Sequence, residues 1–288
     1  MPELPEVEVV KRSLEKKIQN LIIKKVIIND GNLRYKIDKD KITKIVGRKI
    51  KKIVRRSKFL IFKLDKGQAM MVHLGMTGKF FLVDQKEKKF KTSFYYKIEK
   101  NDEKYNRVIF VFKNKQKLIY NDVRKFGFIK FYDPLKYEEN IHFRNLGPEP
   151  LSKDLNFNYL KNYLRGRNRN IKNVLMDQKC ISGLGNIYVN EVLFLSGIRP
   201  TRKVSKLKDA ELKKLLKYIK NVLKSSIKLG GSSIKDFSSD DGKKGIFQQY
   251  FRVYGKKGEK CSNTDCNTNL KRVVISNRST FFCKTCQK

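Results

Sequence analysis

Apolar residues near the start of the chain recur at helical spacing. Val7, Val10, Leu14 and Ile18 share one face of the segment from Pro5 to Asn20, which predicts an amphipathic helix. The period then changes. Short runs rich in β-branched and aromatic residues follow at 21–28, 51–64, 68–73, 79–83, 94–98, 107–112, 118–121 and 128–132. Several alternate apolar with polar positions; others, such as Arg107-Val-Ile-Phe-Val-Phe112, are apolar nearly throughout. Regularly spaced short strands predict a β-sandwich or barrel. Asp133-Pro134 breaks the last run, and a polar connector leads to Leu146-Gly-Pro-Glu-Pro-Leu151, whose prolines and glycine suit a domain boundary. From about Ser152 to Gly231 the pattern is helical. Its clearest member spans about Asp209 to Leu229, with Leu212, Leu215, Leu216, Ile219, Leu223 and Ile227 as the apolar stripe and Gly230-Gly231 as the stop. The fold class expected is α+β: an N-terminal helix and β-sandwich domain at 1–133, a linker at 134–150, a helical domain at 151–258 and a small tail module at 259–288.

Composition narrows the function. The 288 residues are 40% hydrophobic, enough for a core in each of two domains. No run of 18 apolar residues exists, so no membrane-spanning helix is expected. The opening MPELPEVE lacks an apolar h-region and is not a secretory signal, which predicts a cytoplasmic protein without a membrane partner. The net charge of +39 predicts a polyanionic partner, nucleic acid before a membrane surface. Lys, Ile and Asn are abundant, as an AT-rich genome would make them, but the arginine-bearing segments remain, and arginine is the better phosphate reader.

Cysteine usage is more specific. Four of the five cysteines lie in the last 28 residues, as Cys261-x4-Cys266-x16-Cys283-x2-Cys286. Two close pairs of soft ligands match a tetrahedral zinc site, and paired cysteines in a reducing compartment favour metal over disulfides. One structural Zn2+ is therefore expected, with no organic cofactor. Between the pairs, Lys271 to Phe282 reads as a hairpin turning at Ser276-Asn277, with Arg278 near its tip. Cys180 stands alone and reads as a small buried hydrophobe.

Pro2-Glu3-Leu4-Pro5-Glu6 suits a helix start, where proline is tolerated and acids complement the helix dipole. It also permits chemistry. With the initiator methionine removed, Pro2 carries a free secondary amine, and a generic α-amino group titrates near pH 8, roughly. Such an amine can attack an electrophilic carbon and form an iminium, with Glu3 as general acid or base.

Several motifs then occur in order: MPELPEVE, Arg55-Arg-Ser-Lys-Phe59, His73-Leu-Gly-Met-Thr-Gly78, Asp122-Val-Arg-Lys-Phe-Gly127, Leu146-Gly-Pro-Glu-Pro150, Gly183-Leu-Gly-Asn-Ile-Tyr188 and the cysteine hairpin ending Cys286-Gln-Lys288. Over its whole length the chain resembles the bacterial formamidopyrimidine-DNA glycosylases. The related endonuclease VIII branch shares the Pro-Glu start, but PELPEVE and the Arg-Lys-Phe-Gly loop look more like the formamidopyrimidine branch.

The resemblance implies a bifunctional enzyme of base-excision repair. It would remove oxidised purines from damaged double-stranded DNA and then nick the strand by β,δ-elimination, as a monomer. It implies that Pro2 attacks C1′ and Glu3 donates a proton toward the opening sugar. Lys58 would contact the flanking phosphate and serve the first elimination, and Arg278 would grip phosphate and serve the second. The target base must be flipped out of the stack, and Met76, Arg124 and Phe126 match the residues that fill the gap. Asn186, at a glycine-rich turn opening a helix, Arg167 and His73 match DNA-contact positions. A helix–two-turns–helix element is implied at about Ile171 to Ile198, and a loop covering the everted base at Gly231 to Tyr254. Three positions depart from the family pattern. The first cysteine pair has a spacer of four where two is common. Tyr105 stands where a DNA-contacting histidine is frequent, and Val123 replaces a frequent proline. Two other readings compete: the same chemistry on oxidised pyrimidines, and a zinc-containing DNA-binding protein without catalysis.

Overall fold

The computed structural model describes residues 2–93, 102–137, 139–232 and 247–288. The run expected as a strand at 94–98, and most of the loop expected at 231–254, lie outside these residues. The chain divides into two compact units, Met1–Arg144 with Leu229–Ile246, and Asn145–Lys228 with Phe247–Lys288. Among the described residues no helix is long and apolar enough to cross a membrane.

The first unit opens with helix α1 (Leu4–Ile18), whose buried face carries Val7, Val10, Leu14 and Ile18. Proline in its first turn, Glu6 there and Lys16 and Lys17 in its last turn all favour a helix in this polarity. Then come β1 (Ile23–Ile28), the short α2 (Lys39–Thr43), β2 (Ile50–Arg56), β3 (Phe59–Leu64), β4 (Ala69–His73), β5 (Lys79–Val83), β6 (Lys89–Lys91), β7 (Asn106–Phe112), β8 (Lys117–Asn121) and β9 (Phe128–Tyr132). Among the described residues these strands make a five-stranded sheet, β1-β7-β8-β5-β6, and a four-stranded sheet, β2-β3-β4-β9. Phe62 and Phe80, one from each sheet, meet with ring centroids 6.0 Å apart in a shared apolar core that also takes in the buried face of α1.

Two features of this topology place the site. The run 51–64, which reads as one strand, is a hairpin: Arg56 pairs with Phe59 across a turn at Ser57-Lys58. No glycine, asparagine or proline announces that turn, and Ser57 itself adopts the left-handed conformation, φ 55°. The chain passes three times from one sheet to the other, and two of these passages are short loops, at 74–78 between β4 and β5 and at 122–127 between β8 and β9. Because His73 pairs with Phe128 and Lys79 with Asn121, the two crossing loops run side by side.

The second unit is built around α5 (Asn186–Ser196), which is buried on nearly all sides. Helix α4 (Ile171–Met176), helix α6 (Asp209–Lys228) and strand β11 (Arg278–Phe282) pack on it, and α3 (Phe157–Leu164) packs on α6. A helix apolar all round belongs in an interior, and its few polar groups are satisfied. Tyr188 Oη lies 2.6 Å from Ser226 Oγ, and Glu191 accepts backbone N–H bonds from Arg252, Val253 and Tyr254 at 2.8, 3.1 and 2.8 Å. Strand β10 (Lys271–Ile275) pairs with β11 in the tail hairpin. The tail does not stand apart: Phe281, Leu270 and three of its cysteines share a core with Phe194 of α5 and Val253. The last residue closes on the end of α5, with Lys288 N–H donating to Gly197 O at 3.0 Å and Arg199 N–H to Lys288 O at 2.9 Å.

Candidate functional site

In the first unit, Pro2 is buried at the head of α1 and Glu3, 3% exposed, is its N-cap residue. Glu6 holds this end in place. One of its oxygens accepts the Glu3 N–H at 2.9 Å; the other accepts the Ser232 N–H and hydroxyl at 2.8 and 2.9 Å. Lys58 is buried in the β2–β3 turn. That turn is fastened to α1 through Arg55, which donates from Nε to Glu8 at 2.9 Å and from Nη1 to Ser57 O at 2.9 Å. The Pro2 end of α1 and the lysine turn are therefore secured to the same helix.

His73 ends β4, stacked on Phe128 at 5.4 Å. Burial, then the charges of Lys58, Arg34 and His142, push its pKa down to about 4, so the imidazole is neutral at physiological pH. Its Nδ1 accepts the Gly75 N–H at 3.1 Å, which leaves Nε2 as the protonated, donating nitrogen. A neutral donor can hydrogen-bond a phosphate oxygen without adding charge to this basic region.

Met76, Arg124 and Phe126 come from different crossing loops, yet form one exposed cluster. Arg124 Nη1 lies 3.3 Å from Met76 Sδ, and the guanidinium lies over the Phe126 ring at 4.4 Å. Exposed thioether and aromatic groups braced by a cation form a wedge able to enter a base stack. Tyr105 is half-buried beside the second loop, where its carbonyl accepts the Asp122 N–H at 3.1 Å. Lys104 and Arg107 lie over its ring at 5.0 and 5.6 Å. Sequence reasoning gave no role to the buried Asp122, which lies beneath the wedge. The only sequence signal was its place two residues ahead of Arg124, at the start of the segment Asp122-Val-Arg-Lys-Phe-Gly127.

In the second unit, the hairpin turns at Ser276 and Asn277, both at positive φ, as a two-residue hairpin of this twist requires. Arg278 is exposed at the start of β11. Asn186 begins α5, but its side-chain donor is committed: Nδ2 donates to Ser279 O at 2.9 Å. Lys172, 1% exposed, donates to the same carbonyl at 3.2 Å and to Thr280 Oγ1 at 2.5 Å. Asn190 accepts the Phe281 N–H at 2.7 Å. Three side chains from α4 and α5 thus grip the strand that carries Arg278. Lys172 escaped sequence reasoning because it is one lysine among many. A cavity of about 260 Å³ lies here, lined by Arg169, Lys172, Asn173, Ser276 and Arg278 among others. Arg167 is exposed, its Nε donating to Tyr163 O at 2.6 Å and its guanidinium over the Tyr163 ring at 4.2 Å.

The four tail cysteines converge. Their sulfur atoms all lie within 4.8 Å of one another, with Cys261 to Cys286 at 3.8 Å and Cys266 to Cys283 at 3.6 Å. A tetrahedral ion bound at about 2.3 Å from each sulfur sets sulfurs roughly 3.8 Å apart, so the group fits a metal ion. The long spacer does not spoil this: Cys266 N–H donates to Asn263 O at 3.1 Å, folding the extra residues into a turn.

Residues 1–129 match the family model for the formamidopyrimidine-DNA glycosylase N-terminal domain, and residues 146–238 match that for the formamidopyrimidine-DNA glycosylase H2TH domain. The chain is 37% identical to a formamidopyrimidine-DNA glycosylase of Roseobacter denitrificans over 288 residues, covering 100% of both chains. It is 42% identical to that of Rickettsia massiliae, covering 100% of this chain and 97% of the relative. Among solved structures, a Lactococcus lactis Fpg mutant in complex with Fapy-dG-containing DNA superposes with a TM-score of 0.86 at 34% identity. The Lactococcus lactis Fpg with abasic-site DNA gives 0.85 at 33%, and each comparison covers 100% of both chains. The chain belongs to the formamidopyrimidine-DNA glycosylase family.

Proposed function

We propose that the chain is a bifunctional DNA glycosylase and AP lyase that excises oxidised purines, 8-oxoguanine and formamidopyrimidines, from duplex DNA. The observation that carries the reading is the head of α1, where Glu3 is buried directly behind Pro2 and the Lys58 turn is fastened to the same helix. Once Met1 is removed, the Pro2 nitrogen attacks C1′ of the damaged nucleotide. The bond from C1′ to the base breaks, and the base leaves with a proton. Glu3 donates a proton toward the sugar oxygen as the ring opens, which gives the iminium. Loss of a C2′ proton then expels the 3′ phosphate, and a second elimination expels the 5′ phosphate. Lys58 serves the first of these steps and Arg278 the second, as cations beside a leaving phosphate. His73, Tyr105, Arg167 and Asn186 belong to the DNA-contacting surface, Asn186 through the hairpin it holds.

The ion in the four-thiolate site is Zn2+, with a structural role. All four ligands come from the protein, no position is left for a substrate, and the ion supplies folding energy to the tail. The protein works on DNA as a monomer, in the bacterial cytoplasm with the nucleoid as its substrate. Many phosphate contacts predict that affinity falls steeply as salt rises.

The test is borohydride trapping on a duplex with 8-oxoguanine opposite cytosine, using protein shown by mass spectrometry to lack Met1. A covalent adduct mapping to Pro2, absent from Pro2→Gly and from undamaged DNA, is the expected result. Adducts only with oxidised pyrimidines would move the substrate class. Strand cutting by verified Met1-retaining protein would remove Pro2 as the nucleophile.

A further inference from the structure

Asp122 is wholly buried, yet it lies at the base of a surface that must meet phosphates. Its carboxylate reaches both crossing loops. Oδ1 accepts from the Thr77 hydroxyl of the first loop at 2.5 Å; Oδ2 accepts from the Gly127 N–H of the second at 2.8 Å and from Tyr120 Oη at 3.3 Å. The Thr77 oxygen in turn accepts the Arg124 N–H at 3.0 Å, so one hydroxyl links the carboxylate to the wedge arginine. Arg107 donates to the Asp122 carbonyl at 2.9 Å and fixes the residue from behind. The loops also touch through their glycines. A Cβ on Gly75 would lie 2.4 Å from the Gly127 nitrogen, and one on Gly127 would lie 1.9 Å from Tyr120 Oη. No side chain fits at either position, and the backbones stay in contact.

We propose that Asp122 is the positioning residue that fuses loops 74–78 and 122–127 into one rigid wedge, so that Met76, Arg124 and Phe126 enter the duplex together. The inference rests on the reading of the chain as a base-flipping glycosylase and adds to it a residue that never touches DNA. An amide at 122 keeps the shape but loses one acceptor, and Thr77→Val removes the hydroxyl that joins the loops. Either change lets the wedge residues move separately, and insertion slows while the chemistry of an already exposed sugar does not.

The test uses the full chain, without Met1, as wild type, Asp122→Asn, Thr77→Val and Thr77→Ser. Each is given a lesion duplex with 2-aminopurine beside the base opposite the lesion, and a single-stranded abasic oligonucleotide. Expected are a fluorescence rise and a single-turnover excision both slowed at least tenfold in Asp122→Asn and Thr77→Val. Cleavage of the single strand should stay within twofold of wild type, and Thr77→Ser should restore wild-type kinetics. Wild-type fluorescence kinetics in Asp122→Asn, or equal losses by Thr77→Val on both substrates, overturn the proposal. The fluorescence step requires insertion and not chemistry. A wild type that cuts neither substrate therefore condemns the catalytic reading, while a delay confined to the variants still supports the wedge.

Discussion

Met76, Arg124 and Phe126 stand on loops whose ends run directly into paired strands, over a core of Phe62, Phe80, Phe110 and Tyr120. Arg278 stands on a hairpin with almost no such foundation. Its apolar support is Phe281, Leu270 and a few neighbours, and the remaining positions in that cluster are cysteines. The sandwich holds these three residues by burying area; the tail holds Arg278 through a cluster of four cysteines able to bind a metal ion and by the clamps from Lys172, Asn186 and Asn190. A segment of this size cannot bury enough apolar surface to offset its chain entropy, and the four-cysteine cluster is where a bound ion would supply what the core cannot.

Removing the metal should separate the two regions most sharply. Exhaustive chelation, or Cys283→Ala, should unfold the tail, since ligation contributes on the order of 10 kcal/mol to such modules. DNA affinity should fall at least a hundredfold. The β-sheet signal of the sandwich should persist in circular dichroism; a single cooperative loss of all structure would erase the distinction drawn here.

The converse experiment addresses the sandwich. Phe110 is 1% exposed, and Phe110→Ala should cost about 3–5 kcal/mol by the usual penalty for emptying a core site. Urea unfolding followed by far-ultraviolet dichroism measures it. The cost should be the same with and without chelator. A cost that vanished on chelation would mean that the two regions share one source of stability.

The smallest effect concerns His73. Its folded pKa, about 4, lies below the ordinary value of 6.5, so the unfolded chain binds the proton more readily. Its contribution is complete above pH 6.5 and is lost as pH falls from there toward 4. By pH 5.5 the loss is on the order of 1 kcal/mol. His73→Gln should flatten the fall in Tm across this window, whereas an unchanged slope would place the titration elsewhere.

Local pattern made much of this legible. Helix α1 was readable from Val7, Val10, Leu14 and Ile18, and α6 from its leucine stripe, because a helix facing one core repeats its burial every turn. The cysteine spacing announced the four-thiolate cluster, and the Ser-Asn pair announced the hairpin turn. The β2–β3 hairpin was hidden because its turn uses Ser57 in a left-handed conformation that serine rarely adopts. Lys172 and Asp122 were hidden for another reason. Nothing in a lysine-rich chain distinguishes the buried ammonium from the solvated ones, and an acidic residue in a loop reads as surface.

Read alone, the chain disclosed the classes of element, a strongly basic character, the four-cysteine tail and the family. These depend on composition, period and short spacings, all of which are local. Tertiary structure alone decided that two loops separated by some forty residues lie side by side over one carboxylate, with Thr77 and Asp122 45 residues apart. It also decided that three side chains of α4 and α5 grip the strand bearing Arg278. Such contacts are fixed by strand order and helix packing, which arise from burying the whole apolar surface at once and leave no signature in any short stretch of chain.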